Sequence, residues 1–337
     1  MADGIAQDGK RQEGRRAEGR KTVRIAAMAD IHCGKTSQGA FQWLFTHIAE
    51  NADILVLAGD LTDYGSAEEA KVLAREITAS GRLTIVGVLG NHDYEAGEAT
   101  EVRKILTDAG VNMLDGESFE SHGIGFAGVK GFAGGFGRGV LGAWGESAVK
   151  AFVQEAIDES LKLESALARL RTPNRIAVLH YSPIRATVEG EPLEIFPYLG
   201  CSRLEEPLLR YPVTTVFHGH AHRGAPEGYT ATGVPVFNVA VPLLRAAAPD
   251  DPPYKLIGWK SINDATVPNA VSVHFTPVAG GTEVRVVMEY QPPAARLAQA
   301  VGKLFGEEPD VQVREDLQRF KETMERRPAG PGSVAAR

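Results

Sequence analysis

Leu83-Thr84-Ile85-Val86-Gly87-Val88-Leu89-Gly90-Asn91-His92-Asp93 is an apolar run that stops abruptly in polar, metal-competent side chains. Gly81 and Gly90 bracket the run, and its length and apolarity predict a buried strand. Four other runs end the same way. Arg24–Ala29 leads into Asp30-Ile31-His32, and Ile54–Ala58 into Gly59-Asp60. Ile176–Leu179 leads into His180, and Val213–Phe217 into His218-Gly219-His220-Ala221-His222. In α/β folds, ligands bind in the crevice outside the carboxyl ends of the strands. Chemistry is therefore delivered five times to one kind of place.

Helical spacing separates the early strands. Phe41–Glu50 carries Phe41, Leu44, Phe45 and Ile48 on one face, with His47 as a surface or packing residue. Ala67–Ser80 is predicted helical, with Ser66 as N-cap and Gly81 as stop. Ala99–Ala109 is a further helix closed by Gly110. From Val111 the pattern changes, and Val111–Leu114, Ser118–Ser121 and Ile124–Val129 predict a β-meander rather than a βαβ crossover. Gly131–Gly145 is glycine-rich with Phe132, Phe136 and Trp144 interspersed, and reads as a flexible loop or a lid. Ser147–Leu170 is a long amphipathic helix. Pro183–Leu204 is irregular and follows a candidate ligand, so it is expected to shape a pocket. Val234–Val239, Ala270–Phe275 and Glu283–Glu289 are further β-type runs, and Asp310–Arg326 is a charged, weakly amphipathic helix. The domain is expected to span 22–290, between a disordered tail at 1–21 and a C-terminal extension at 291–337.

With 43% hydrophobic and 23% charged residues, the 337-residue chain has material for an ordinary globular core. A net charge of -7 disfavours an extensive nucleic-acid surface, while bound cations would still admit a small phosphorylated substrate. The two cysteines, Cys33 and Cys201, form no disulfide framework or zinc-knuckle spacing, which fits a cytoplasmic location. Cys33, beside His32, is a candidate for oxidant sensitivity. No apolar run approaches the ~18 residues of a membrane span. Met1–Lys21 lacks the apolar core of a secretory signal, and a basic targeting arm is the alternative to a simple tail.

Asp30, His32, Asp60, Asn91, His180, His220 and His222 together form a nitrogen and oxygen ligand set suited to iron, zinc or manganese. There are more ligands than one tetrahedral ion uses, so two ions are implied. Two ions ~3.5–4 Å apart can clamp a phosphoryl group. His220 and His222 share one face of an extended segment, and His218 is read as a neighbour rather than a ligand. His122 and His274 have no such partners and read as structural. Gly123–Gly128 and Gly137–Gly142 match GxGxxG, but neither opens a helix after a strand, which argues against a dinucleotide site. No GxxxxGK[ST] loop is present.

Asp-x-His, Gly-Asp-x-x-Asp, Gly-Asn-His-Asp, a lone His and Gly-His-x-His, in that order, resemble the calcineurin-like metallophosphoesterases over roughly Val23 to Tyr290. The resemblance implies a four-layer αββα sandwich with two mixed β-sheets and a dinuclear site at the rim. It implies that one ion (Mn, Fe or Zn) takes Asp30, His32 and His222, the other takes Asn91, His180 and His220, and Asp60 bridges them. An activated water would attack phosphorus in line. His92 matches the catalytic histidine, and Asp63 the aspartate that orients it.

The phosphoprotein phosphatases of this superfamily carry Arg after the second Asp of Gly-Asp-x-x-Asp, and Gly-Asn-His-Glu; Tyr64 and Asp93 stand here instead. The pattern is most similar to small bacterial and archaeal phosphohydrolases of the cyclic-nucleotide phosphodiesterase and glycerophosphodiesterase type, and a phosphodiesterase or phosphomonoesterase is expected. A nuclease and a catalytically weak metal-binding scaffold are the alternatives. Tyr94, Arg185, Tyr198, Arg203 and Arg223 lie beside motif residues and are candidates for substrate contact. Self-association through Asp310–Arg326 is also open.

Overall fold

The computed structural model describes residues 23–247 apart from 80 and 82, together with the backbone of three strands within 256–290. In chain order the elements are β1 (Ile25–Met28), α1 (Gln42–Asn51), β2 (Ile54–Ala58), α2 (Ala67–Ala79), β3 (Thr84–Val88), α3 (Ala99–Asp108) and β4 (Val111–Met113). Then follow β5 (Ser118–Ser121), β6 (Ile124–Gly128), α4 (Ser147–Arg169), β7 (Asn174–Val178), α5 (Phe196–Leu199) and α6 (Glu205–Arg210). β8 (Thr215–His218), β9 (Glu227–Tyr229), β10 (Pro235–Asn238) and α7 (Val241–Ala247) come next. β11 (Leu256–Lys260), β12 (Asn269–Val278) and β13 (Gly281–Tyr290) end the described chain.

Successive side chains of a strand face opposite ways, and this period sorts the core into three layers. Leu55 and Leu57 of β2 pack with Phe45 of α1, Leu73 of α2 and Leu106 of α3. Their neighbours Ile54, Val56 and Ala58 pack instead against Phe126, Ile176 and Val178 of the other sheet. On that sheet's outer face, Ala177, Leu179 and Val216 meet Leu163 and Leu167 of α4. Helices, sheet, sheet, helices is the αββα sandwich expected. Each fully buried Leu or Ile contributes about 1.5–3 kcal/mol by leaving water.

The first sheet runs β1-β2-β3-β4 and the second β5-β6-β7-β8-β10-β9. Two details differ from expectation. The first sheet is parallel throughout its four described strands, while only the second is mixed, with antiparallel pairs at β5–β6 and β9–β10. The meander expected after Val111 is divided between sheets: β4 pairs in parallel with β3, Ile85 opposite Val111, and β5–β6 is a hairpin of the second sheet. β4 has three residues, too few for a periodicity to reveal which strand it joins. β12 and β13, foreseen in part, form a separate antiparallel sheet with β11, in which β12 pairs with both neighbours. The tails and the helix expected at 310–326 lie outside the described residues.

Local signals set the helix ends. The Ser66 hydroxyl accepts the Glu69 N–H at 3.4 Å and the Glu69 carboxylate accepts the Ser66 N–H at 3.2 Å, a reciprocal cap at the start of α2. Buried Glu76 of α2 accepts the N–H groups of Gly39 (2.6 Å) and Phe41 (3.2 Å) and so fixes the entry to α1. The two large sheets are laced together at one edge. Ala29, just past β1, donates to the Val239 carbonyl past β10, and Val241 donates back to Ala29, both at 2.9 Å. Asp30 follows directly. Among the described residues no helix is long and apolar enough to cross a membrane.

Candidate metal centre

All seven predicted ligands lie just past strand ends on the laced edge. Asp30 and His32 follow β1, Asp60 follows β2, Asn91 follows β3, His180 follows β7, and His220 and His222 follow β8. The structure brings them together. Ligand atoms of Asp30, His32 and His222 lie within 4.8 Å of one another, as do those of Asp60, His180 and His220, and those of His32, Asp60 and His92. Asn91 joins through its Oδ1, 2.9 Å from His180 Nε2. Asp60 is common to two of these groups, with Oδ1 3.3 Å from His180 Nε2 and Oδ2 4.0 Å from His32 Nε2.

The backbone at these residues is unusual. Asp30, His32, Asp60 and His220 all adopt positive φ, at 56, 47, 49 and 70 degrees. Such conformations cost non-glycine residues of order 1–3 kcal/mol each and persist only where the surroundings over-determine them. Here the surroundings are two main-chain ties, Asp30 N–H to Gly59 O (3.0 Å) and His32 N–H to Asp60 O (3.1 Å), and one to a side chain, His92 N–H to Asp60 Oδ1 (2.8 Å).

The glycines of the motifs have a specific task. A methyl on Gly59, at φ +89 degrees, would stand 2.4 Å from His180 Nδ1. One on Gly90 would stand 2.2 Å from Asp60 Oδ1, and one on Gly219 would stand 2.3 Å from Asp30 Oδ2. Each glycine clears space for a ligand supplied by a different loop.

Hydrogen bonds decide which ring nitrogens face the centre. His180 Nδ1 lies 2.9 Å from the Ala58 carbonyl and His220 Nε2 lies 3.1 Å from the Tyr198 carbonyl. A carbonyl only accepts, so these nitrogens carry protons, and His180 Nε2 and His220 Nδ1 are the ring atoms that would take a cation, the first by giving up the proton that faces Asn91 Oδ1 and Asp60 when no cation is bound. His222 Nε2 is 2.9 Å from Asp30 Oδ1. Burial works to raise Asp60, but the neighbouring His180 more than offsets it and holds the carboxyl well below the usual range. Burial likewise works to lower His180, and Asp60 overrides it, raising that imidazole to about 9. His220, less favoured by charge, is pushed down to about 3 by burial and by His180. The nitrogen and oxygen donor set fits transition-metal cations.

The remaining expectations fall as follows. His92 lies at the centre, its ring 4.6 Å from that of His32, centroid to centroid. Its Nδ1 is 2.7 Å from the main-chain carbonyl of Asp63, whereas the Asp63 carboxylate lies 3.5 Å from His32 Nδ1. The anticipated tie between His92 and Asp63 is thus made by backbone. His218 stands apart as a neighbour. Its nitrogens bond Gly219 O (2.7 Å) and the Thr187 hydroxyl (2.8 Å), and burial lowers it to about 4. Cys33 is fully buried and burial pushes its thiol up to about 12, both of which disfavour the reactive thiolate.

The substrate candidates are more dispersed. Arg203 donates to the Leu141 carbonyl at 2.8 Å and so pins the 131–145 loop, which Gly134 also ties to Pro197. That loop is therefore anchored rather than loose. Arg185 is exposed, facing Glu189 at 3.5 Å and the Phe196 ring. Arg223 donates its N–H to Glu191. Tyr94 lies over the Lys130 ammonium, which also faces Phe132 and Tyr181, at the wall of a cleft of about 250 Å³. Tyr198 is exposed and contributes its carbonyl to His220. A larger cavity of about 570 Å³ lies among the strand starts at the other edge, lined by Arg24, Asp53, Thr84 and His122, away from the ligands.

Sequence reasoning missed Lys130, the Tyr198 carbonyl and the work of Asp93. Only Asp93 carried a signal, its place in Gly-Asn-His-Asp.

No curated protein matches the chain significantly. Fourteen solved chains do. One is TT1561 of Thermus thermophilus, 17% identical, with TM-score 0.38, covering 64% of this chain and 89% of that one. Another is a Staphylococcus aureus protein described as a 5′-nucleotidase, in complex with alpha-ketoglutarate, 13% identical, with TM-score 0.41. That match covers 80% of this chain and 54% of the other. The calcineurin-like phosphoesterase family matches residues 23–224. That stretch is more than half the chain and contains every ligand position described above, so this protein belongs to the calcineurin-like phosphoesterases, a family of metal-dependent phosphoester hydrolases.

Proposed function

We propose that the chain hydrolyses a small phosphorylated substrate, a phosphodiester or phosphomonoester, at a two-cation centre. Asp30, His32 and His222 would hold one cation, Asn91, His180 and His220 the other, and Asp60 both. The observation that carries this reading is the meeting of ligand groups from both sheets at the single Asp60 carboxylate. When bound, the cations supply positive charge to the phosphoryl oxygens and bring the ionisation of water into the neutral range.

The protein's own part is positioning and one proton. His92 Nδ1–H is held by the Asp63 carbonyl, which leaves Nε2 as the nitrogen available to substrate. The Glu95 carboxylate lies 3.7 Å from the same Nδ1. With both ring nitrogens protonated, Nε2–H donates to the leaving oxygen. Every ligand position is filled and assembled, which supports an enzyme over a scaffold. Both cysteines are buried and unpaired, in accord with a reducing cytoplasm.

Two experiments test the reading. Chelation is expected to abolish hydrolysis of bis-p-nitrophenyl phosphate or p-nitrophenyl phosphate, and Mn, Fe or Zn to restore it; the preferred ester separates diesterase from monoesterase. Turnover that persists after exhaustive chelation, with no metal detectable, contradicts the proposal. His92→Ala is expected to keep both cations while turnover falls about 10²–10⁴-fold, the usual worth of a positioned acid. Wild-type rates in that variant remove His92 from the reaction.

A further inference from the structure

Asp93 is a fully buried carboxylate whose position beside the ligands calls for a role of its own. Its oxygens accept four hydrogen bonds. Oδ1 takes the Thr62 N–H at 2.7 Å and the Thr62 hydroxyl at 2.6 Å. Oδ2 takes the Leu61 N–H at 3.1 Å and the Gly90 N–H at 2.8 Å. A carboxylate offers about four lone-pair sites, and here all are used, so it acts as a pure acceptor hub.

The donors are not scattered. Leu61 and Thr62 directly follow Asp60, and Gly90 directly precedes Asn91. Asp93 therefore stitches the loop after β2 to the loop after β3. The stitch bears on a strained point, because Asp60 sits at φ 49 degrees. It also bears on a crowded one, since Gly90 lies where any side chain would strike Asp60. The Asp60 carboxylate accepts the N–H of His92, the residue before Asp93, so the two loops are cross-tied in both directions.

We infer that Asp93 is a positioning residue that holds Asp60 and Asn91 in cation-ready geometry before any cation arrives. This rests on the proposed ligand roles of Asp60 and Asn91 and adds the device that prepares them. It also gives a reason for aspartate after His92: a longer side chain would need the hub to move relative to the four donors.

The test is Mn²⁺ binding by calorimetry on the full chain, which requires no turnover, alongside thermal unfolding of the cation-free protein. Asp93→Asn keeps the shape but turns an amide NH₂ toward N–H donors. It is expected to weaken Mn²⁺ binding about 10–100-fold, the usual effect of losing a group that orients ligands. Thr62→Val removes one of the four bonds and is expected to weaken binding about two- to tenfold, with Thr62→Ser restoring it. The Thr62 pair keeps the test decisive if Asp93→Asn fails to fold. Variants that melt earlier yet bind two Mn²⁺ with wild-type affinity show a purely structural role and overturn the inference. A wild-type chain that binds none of Mn²⁺, Fe²⁺ and Zn²⁺ overturns the proposed function, and this inference with it.

Discussion

Asp60→Asn is expected to empty both cation positions and to cut turnover by at least about a thousandfold, since several kcal/mol of charge stabilisation rests on the bound cations. The substitution conserves shape, and the N–H of His92 can still be accepted by the remaining amide oxygen, so the sandwich should survive. The damage is chemical. Asp60 is almost fully buried and approaches His180 with one oxygen and His32 with the other. Asparagine replaces one of those oxygens by an NH₂ group, which donates and so repels a cation. It also removes the charge that holds buried His180 protonated when no cation is present. Metal analysis of the purified variant checks this. Two ions retained per chain would contradict the shared role of Asp60.

Gly90→Ala is expected to be nearly as damaging through sterics alone. The added methyl would lie 2.2 Å from Asp60 Oδ1 and 2.3 Å from the Asp60 main-chain nitrogen. Backbone cannot yield as a flexible side chain does, so the loops after β2 and β3 must separate. Overpacking of this kind costs about 1–3 kcal/mol of stability. The separation would also loosen the bonds that Asp93 makes across the same gap. Denaturant titration of the cation-free variant, with Mn²⁺ calorimetry, measures the two effects. Gly139→Ala is the control, because its methyl meets nothing within 4 Å. Equal behaviour of the two variants would refute the clearance argument.

Much of this was legible in the sequence because its signals are short-range. Apolar runs ending in Asp-x-His or Gly-Asn-His-Asp identify strand ends and donor atoms together. The capping pair of Ser66 and Glu69 is spelled out three residues apart. What was not legible depends on distant partners. Nothing in Val111–Met113 says that it joins β3 rather than the hairpin that follows it. The Asp63 side chain and its own carbonyl are one residue in sequence, but they face different histidines in space. Arginines beside motif residues read as candidates for substrate contact, and the sequence does not show that Arg203 spends an N–H on the Leu141 carbonyl. In the sequence Gly90 reads only as the end of an apolar run, and Gly59 and Gly219 only as letters of their motifs. Their further role, making room for His180, Asp60 and Asp30, exists only once loops from different strands meet.

If side chains from both sheets share two cations through Asp60, a crystal structure of the Mn²⁺-loaded protein, with the ions located by anomalous scattering, will show it. Two peaks ~3.5–4 Å apart are predicted, flanking the Asp60 carboxylate, with Asp30, His32 and His222 on one and Asn91, His180 and His220 on the other. A single peak, or ions bound away from Asp60, would contradict the shared-carboxylate arrangement.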